Sequence, residues 1–204
     1  VNTGNISVEE LTKNLRAQGI TVEPCEEIPY ALYISGYDYL RGIPEFLAGD
    51  FYIQDFSSMM VAHSAGIQQG DHVIDVCAAP GGKTFHVADK LASYASKASD
   101  EAGMVFSCDL TSEKTDLIRE NKKRLGCHNV EIFVNDATVL REDWVCKADL
   151  VIADLPCSGL GVIGRKKDIK YKMTVEKEAE LVALQREILK NAVRYVKPGG
   201  TLLY

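Results

Sequence analysis

The sequence predicts an α/β protein: a doubly wound, mostly parallel sheet behind a small α+β unit. Three observations carry this. From His72 onward, short apolar runs alternate with segments of helical spacing, as in sheets with helices on both faces. Before residue 57 the pattern differs, with one capped helix followed by short strand-like runs broken by Pro and Gly. Finally, aspartates recur where the apolar runs end, and ligands of such sheets bind beyond the carboxyl ends of the strands. The expected organisation is a small unit at 1–56 and a Rossmann-like domain at 57–204.

The elements follow in order. Ser7-x-x-Glu10 is a capping box, and Val8, Leu11 and Leu15 continue it at helical spacing to Gly19. Strand-like runs come at Ile20–Val22, Ala31–Ile34 and Phe51–Ile53, and a helix from about Ser57 to Gly66. The second unit predicts strands at Val73–Cys77, Gly103–Cys108, Val130–Val134 and Leu150–Ala153. Helices are expected at Lys83–Ser93 and at Ser112–Leu125, the latter closed by Gly126. The stretch Ala92–Ala102 reads as a loop. A long helix at Val175–Val196 opens at Thr174 and stops at Lys197-Pro198-Gly199-Gly200, and Thr201–Tyr204 begins another strand.

Composition narrows the function. The chain has 204 residues, 46% of them hydrophobic, and a net charge of −6. No apolar run approaches the roughly 18–20 residues that span a membrane. The first residues, VNTGNISVEE, lack the basic and apolar regions of a signal peptide. There is no initiator Met, and Gly200-Thr-Leu-Leu-Tyr204 stops within an apparent core strand, so a fragment of a longer chain is expected. None of the six cysteines forms a CxxC pair, which argues against structural zinc and against any metal site. Cys77, Cys108 and Cys127 sit in or beside apolar segments, as reduced buried thiols do, and a cytoplasmic location is expected. The overall acidity does not exclude nucleic acid, which needs only a local basic face. Lys122-Lys123-Arg124 reads as a solvated helix face, whereas Arg165, Lys166, Lys167, Lys170 and Lys172 cluster in a loop. His63, His72, His86 and His128 have no metal or nucleophile spacing.

The stretch Val73–Thr84, VIDVCAAPGGKT, reads two ways. Gly82-Lys83-Thr84 suggests a phosphate loop, but that motif needs Gly where Cys77 stands, and Pro80 has no N–H to offer a phosphate. In the other reading, Asp75 and the small residues Cys77, Ala79 and Gly81 let a cofactor approach the backbone. The following helix start would favour a carboxylate such as that of S-adenosylmethionine. Asp109 at the end of the second strand suits two ribose hydroxyls, Asp136 after the third suits an adenine amino group, and Asp154 ends the fourth. Each aspartate alone also reads as a cap or turn residue. Together they favour an adenosyl cofactor.

At Asp154-Leu-Pro-Cys-Ser-Gly-Leu-Gly-Val-Ile163, combined with Val76–Thr84, the chain resembles the Nop/Sun family of RNA cytosine-C5 methyltransferases. It is most like the bacterial Sun type that acts on 16S ribosomal RNA. Tyr52-Ile-Gln-Asp-Phe-Ser-Ser58 and Arg165-Lys-Lys-Asp-Ile-Lys-Tyr171 support the match, which runs over essentially the whole chain. The resemblance implies a methyltransferase domain lacking its last strands, preceded at 1–56 by an RNA-contacting unit. It implies S-adenosylmethionine contacts at Cys77, Ala78, Ala79, Pro80, Gly81, Gly82, Lys83, Asp109, Asp136 and Asp154. Asp154 would also meet N3 of the target base, in protonated form, and Cys157 would assist product release. The family's nucleophile stands in a Thr-Cys pair after strand five, where this sequence ends, so the expectation is cofactor binding without turnover. Lys167 replaces a Pro of the family pattern. Arg165, Lys166 and Lys170 are expected on RNA phosphates. An edge strand carrying Leu202 and Leu203 invites self-association. Transfer RNA as substrate, or a non-catalytic RNA-binding module, remains open. Gln54 and Asp55 read as ordering the junction between the units, with contact to base or cofactor as the second option.

Overall fold

The computed structural model describes residues 1–94, 103–159 and 174–204. The first unit opens with helix α1 (Val8–Ala17), where the Ser7 hydroxyl accepts the Glu10 N–H at 3.1 Å and so caps the helix. Leu11 and Leu15 point inward from it. Strands β1 (Thr21–Pro24) and β2 (Leu32–Ser35) form an antiparallel pair. Helix α2 (Pro44–Ala48) follows, started by Pro44 and ended by Gly49 in the left-handed region. Leu11, Leu15, Ile20, Val22, Ile43 and Phe51 close a core of their own.

The sequence placed a strand at 51–53 and overlooked α2. The segment has no strand partner in the structure. Phe51 fills the core instead, and Arg124 Nη1 donates to the carbonyls of Phe46 (2.8 Å) and Phe51 (3.1 Å). Gly49 lies so close to the backbone of Arg124 that a Cβ there would stand 1.9 Å from the Arg124 carbonyl oxygen. Asn2 Nδ2 reaches both Gly49 O and Leu125 O, at 2.8 and 3.0 Å.

Helix α3 (Phe56–Ser64) leads into the large sheet. Its strands are β3 (His72–Asp75), β4 (Met104–Asp109), β5 (Val130–Val134), β6 (Ala148–Ile152) and β7 (Val196–Leu203). The order is β5-β4-β3-β6-β7 and every pairing is parallel. Helices α4 (Gly82–Tyr94), α5 (Ser112–Leu125) and α6 (Val175–Tyr195) connect them. This is the doubly wound arrangement, and its switch point lies between β3 and β6.

Both faces are buried. Val73, Leu150 and Ile152 pack on Phe85, Val87 and Leu91 of α4, whereas Ile74 and Val151 point the other way onto Ile188, Ala192 and Tyr195 of α6. Each such side chain contributes about 1.5–3 kcal/mol of apolar burial. Burial on both sides explains why the strands read as continuous apolar runs.

One boundary differs from expectation. Lys197-Pro198-Gly199-Gly200 is not a stop before β7 but a bulge inside it. Val196 already pairs with Ala148 and Thr201 with Leu150, so the residues between them loop outward. Lys197 Nζ holds this loop by contacts of 2.9 and 2.8 Å to the Asp149 carboxylate. All six cysteines are free, with Cys25 and Cys108 buried and Cys146 and Cys157 exposed. Among the described residues no helix is long and apolar enough to cross a membrane, and no cluster of three His, Cys, Asp or Glu side chains could hold a metal ion.

Candidate active site

The carboxyl ends of β3 and β6 open into a cleft of about 240 Å³. One wall is the loop from β3 to α4, with Cys77, Ala78, Ala79, Pro80, Gly82 and Lys83 at the surface. The other walls are Asp154 and the segment Ile53–Ser58 entering α3.

The loop is held from behind. Ala78 N–H donates to Cys108 O at 2.8 Å, and Gly81 N–H to Ala78 O at 2.7 Å. The Ala79–Pro80 bond is cis, and Asn121 Nδ2 donates to Pro80 O at 3.1 Å. Gly81 has φ +102°, and a Cβ there would come within 2.5 Å of the Phe85 ring, so the turn requires glycine.

Beneath the loop lies a buried polar relay. Thr84 Oγ1 donates to Asp75 Oδ2 at 2.7 Å, and the Ser107 hydroxyl lies 3.0 Å from Thr84 Oγ1. Since the Thr84 proton goes to Asp75, the Ser107 hydroxyl donates to Thr84. Asp75 Oδ1 is buried without a partner. Burial pushes the Asp75 carboxyl up to about 7, against the Thr84 hydrogen bond and the Lys83 charge. Burial likewise raises the Cys77 thiol to about 12, so it is not an available thiolate at neutral pH.

Lys83 Nζ contacts Asp154 Oδ2 at 2.5 Å and Ser58 Oγ at 3.3 Å, which ties the first loop, β6 and α3 together at one point. Asp154 remains mostly exposed at 60%. Asp109 lies behind the loop. Its Oδ2 accepts the Ala79 N–H at 2.9 Å, and its Oδ1 accepts the Leu110 N–H at 2.8 Å and meets Lys114 Nζ at 2.9 Å. Three of its roughly four lone-pair positions are therefore occupied. Asp136 is exposed at the end of β5, where bonds from Thr138 to its Oδ1 lower its pKa. Cys157 is exposed on the loop after β6, which Gln185 anchors through a 2.7 Å bond to Pro156 O.

Of the sequence-derived residues, 77–80, 82, 83 and 154 meet in the cleft, with Gly81 shaping its floor. Asp109, Asp136 and Cys157 do not line it. Arg165, Lys166 and Lys170 lie outside the described residues. Ser58 and Lys114 were not among the sequence-derived site residues, and Gln54 was read first as ordering the junction, with contact to base or cofactor second. The sequence signal for Ser58 is the stretch Tyr52–Ser58 itself.

Residues 64–204 match the sequence profile of the family described as 16S rRNA methyltransferase RsmB/F. Over its whole length the chain is 36% identical to the probable ribosomal RNA small subunit methyltransferase B of Bacillus subtilis. It is 30% identical, again over its whole length, to the ribosomal RNA small subunit methyltransferase F of Cronobacter sakazakii. It spans 44% and 42% of those proteins, somewhat under half of each. The crystal structure of a methyltransferase homolog from Pyrococcus horikoshii superposes with a TM-score of 0.81 at 30% identity, over 100% of this chain and 62% of that one.

Proposed function

The chain belongs to the 16S rRNA methyltransferase RsmB/F family, and from that premise we propose that it works in the S-adenosylmethionine-dependent methylation of carbon 5 of a cytosine in small-subunit ribosomal RNA. The observation that carries this reading is the Lys83–Asp154 pair at the mouth of the cleft, beside the small-residue loop 77–82. The residues present fit the cofactor. The loop is built of small side chains, its backbone is pinned by Asp109, and the start of α4 offers N–H groups without intrahelical acceptors. When bound, S-adenosylmethionine supplies an electrophilic methyl group.

The chain's own residues take the following parts. The backbone of Cys77–Gly82 would hold the amino-acid end of the cofactor. Asp109 would offer its remaining lone pair to ribose, and Asp136 would accept from the adenine amino group. The salt-bridged pair of Lys83 and Asp154 meets the base at N3. A base attacked at carbon 6 gathers negative charge on its ring, and a proton offered at N3 stabilises it. Lys83 Nζ, which donates to Asp154 Oδ2, adds a second donor beside the carboxyl group assigned to N3. Cys157, whose thiol is exposed, would assist product release, and the attacking thiol is assigned to none of these 204 residues. Residues 1–56 would contact RNA, and Arg165, Lys166 and Lys170 its phosphates.

Two experiments test the reading. In calorimetry with S-adenosylmethionine and ATP side by side, binding of the first and not the second is expected. ATP binding alone would restore the phosphate-loop interpretation. In cells lacking the gene, nucleoside analysis should find one 5-methylcytidine missing from 16S ribosomal RNA. Loss from transfer RNA instead, or of a different methylated nucleoside, overturns the substrate or the atom assigned here.

A further inference from the structure

Gln54 lies in the irregular segment between α2 and α3, on the cleft wall that faces the first loop. Its Nε2 and Oε1 are both shielded from solvent, and neither has a hydrogen-bond partner. The amide lies over Gly82, the first residue of α4. Its Nε2 stands 3.8 Å, and its Cδ 3.9 Å, from where a Gly82 Cβ would be. Several neighbouring polar groups are satisfied. Lys83 has Ser58 and Asp154, Asp75 Oδ2 has Thr84, and Asp109 has the Ala79 N–H. A buried amide with both valences unmet is disfavoured by about 1–3 kcal/mol, and such groups in native proteins call for an explanation.

We infer that Gln54 binds the zwitterionic amino-acid end of S-adenosylmethionine, with Nε2 donating to the carboxylate and Oε1 accepting from the ammonium. The inference rests on the cofactor reading above and deepens it. A neutral amide offers one donor edge and one acceptor edge side by side, and the amino-acid end carries both complements on a single carbon. Location favours this occupant over the edge of the target base. Gln54 sits over the first turn of α4, whose free N–H groups and positive end favour a carboxylate. The groups assigned to the base, Lys83 Nζ and Asp154, pair with each other just beyond the end of β6. Gln54 is therefore a selectivity residue contributed from beyond the sheet, and it distinguishes the full cofactor from adenosyl thioethers that lack the amino-acid end.

The test is calorimetry of the wild type, Gln54→Ala and Gln54→Leu with three ligands: S-adenosylmethionine, its decarboxylated form and 5′-methylthioadenosine. The expected result is S-adenosylmethionine affinity roughly 10- to 100-fold weaker in both variants. The decarboxylated form should lose less, and 5′-methylthioadenosine should bind within about twofold of wild type. Equal loss for all three ligands would make Gln54 a packing residue and overturn the inference. So would unchanged S-adenosylmethionine affinity, the result expected if the amide faces the base. A wild-type protein that binds no S-adenosylmethionine would instead sink the cofactor reading itself.

Discussion

At the amino ends of the large sheet, polar groups are paired by the protein itself. Asp149 accepts the His72 N–H at 2.9 Å and both contacts from Lys197, Asp71 O accepts the Met104 N–H at 3.0 Å, and the Asp71 carboxylate accepts the Gln68 N–H at 2.8 Å. The backbone is equally tight there, since a Cβ at Gly103 would stand 2.5 Å from Asp71 O and one at Gly200 2.8 Å from Asp149 O. At the carboxyl ends, Asp75 Oδ1 and the Gln54 amide are buried without partners, and Asp154 faces solvent from a single salt bridge. One end of the same sheet is closed for stability. The other carries unmet polar capacity, which lowers stability and leaves groups for a ligand.

The largest expected effect tests the unmet capacity directly. Asp75 holds its proton more tightly when folded, with a pKa of about 7 against an ordinary 3.8. Between about pH 4 and pH 7 the unfolded chain has lost a proton that the folded chain keeps. Stability therefore falls as pH rises through that window and levels off above it, by an amount of the order of 4 kcal/mol. Asp75→Asn should remove this slope from denaturation midpoints measured across pH. A variant with the wild-type slope would show that the open end carries no such strain.

At the closed end, Gly103→Ala forces a side chain against backbone. It should cost about 1–3 kcal/mol in urea unfolding while the folded fraction keeps its cofactor affinity. Lys83→Ala should do the reverse, leaving stability within about 1 kcal/mol because its partner Asp154 is largely exposed. Methyl transfer by the intact protein should then fall about a hundredfold. If Lys83→Ala instead unfolded the protein, the two ends would not differ as described. The smallest effect is expected for Lys114→Ala. The Ala79 and Leu110 N–H groups still hold Asp109, so cofactor affinity should shift less than about threefold and stability by less than about 0.5 kcal/mol. A tenfold loss of affinity would make Lys114 part of the site.

Much of the fold was legible locally. Helix α5 has the expected limits, Ser112–Leu125 closed by Gly126, because a left-handed glycine and the capping hydroxyl that the structure shows at Thr111 act within one turn. Helix α2 was overlooked because five residues carry too little periodicity. The strand expected at 51–53 failed because a β-like run needs a partner, and Phe51 found a core and an arginine instead. The bulge in β7 was read as a stop, since Pro and Gly punctuate both alike. In the site, the loop 77–83 and Asp154 were legible as strand-end residues of suitable chemistry. Gln54 was read first as a junction residue and only second as a contact to base or cofactor, because burial without a partner belongs to packing and not to residue type.

The sequence by itself determined the alternation of strands and helices, the acidic residues at strand ends and the small residues of the loop after the first strand of the sheet, all of which follow from side-chain period and backbone sterics over a few residues. Only the tertiary structure decided the strand order β5-β4-β3-β6-β7, the meeting of Lys83 with Asp154 across 71 residues, and the burial that lifts Asp75. Those depend on which distant segments the shared core brings together and on how much water that core excludes, and no local pattern encodes either quantity.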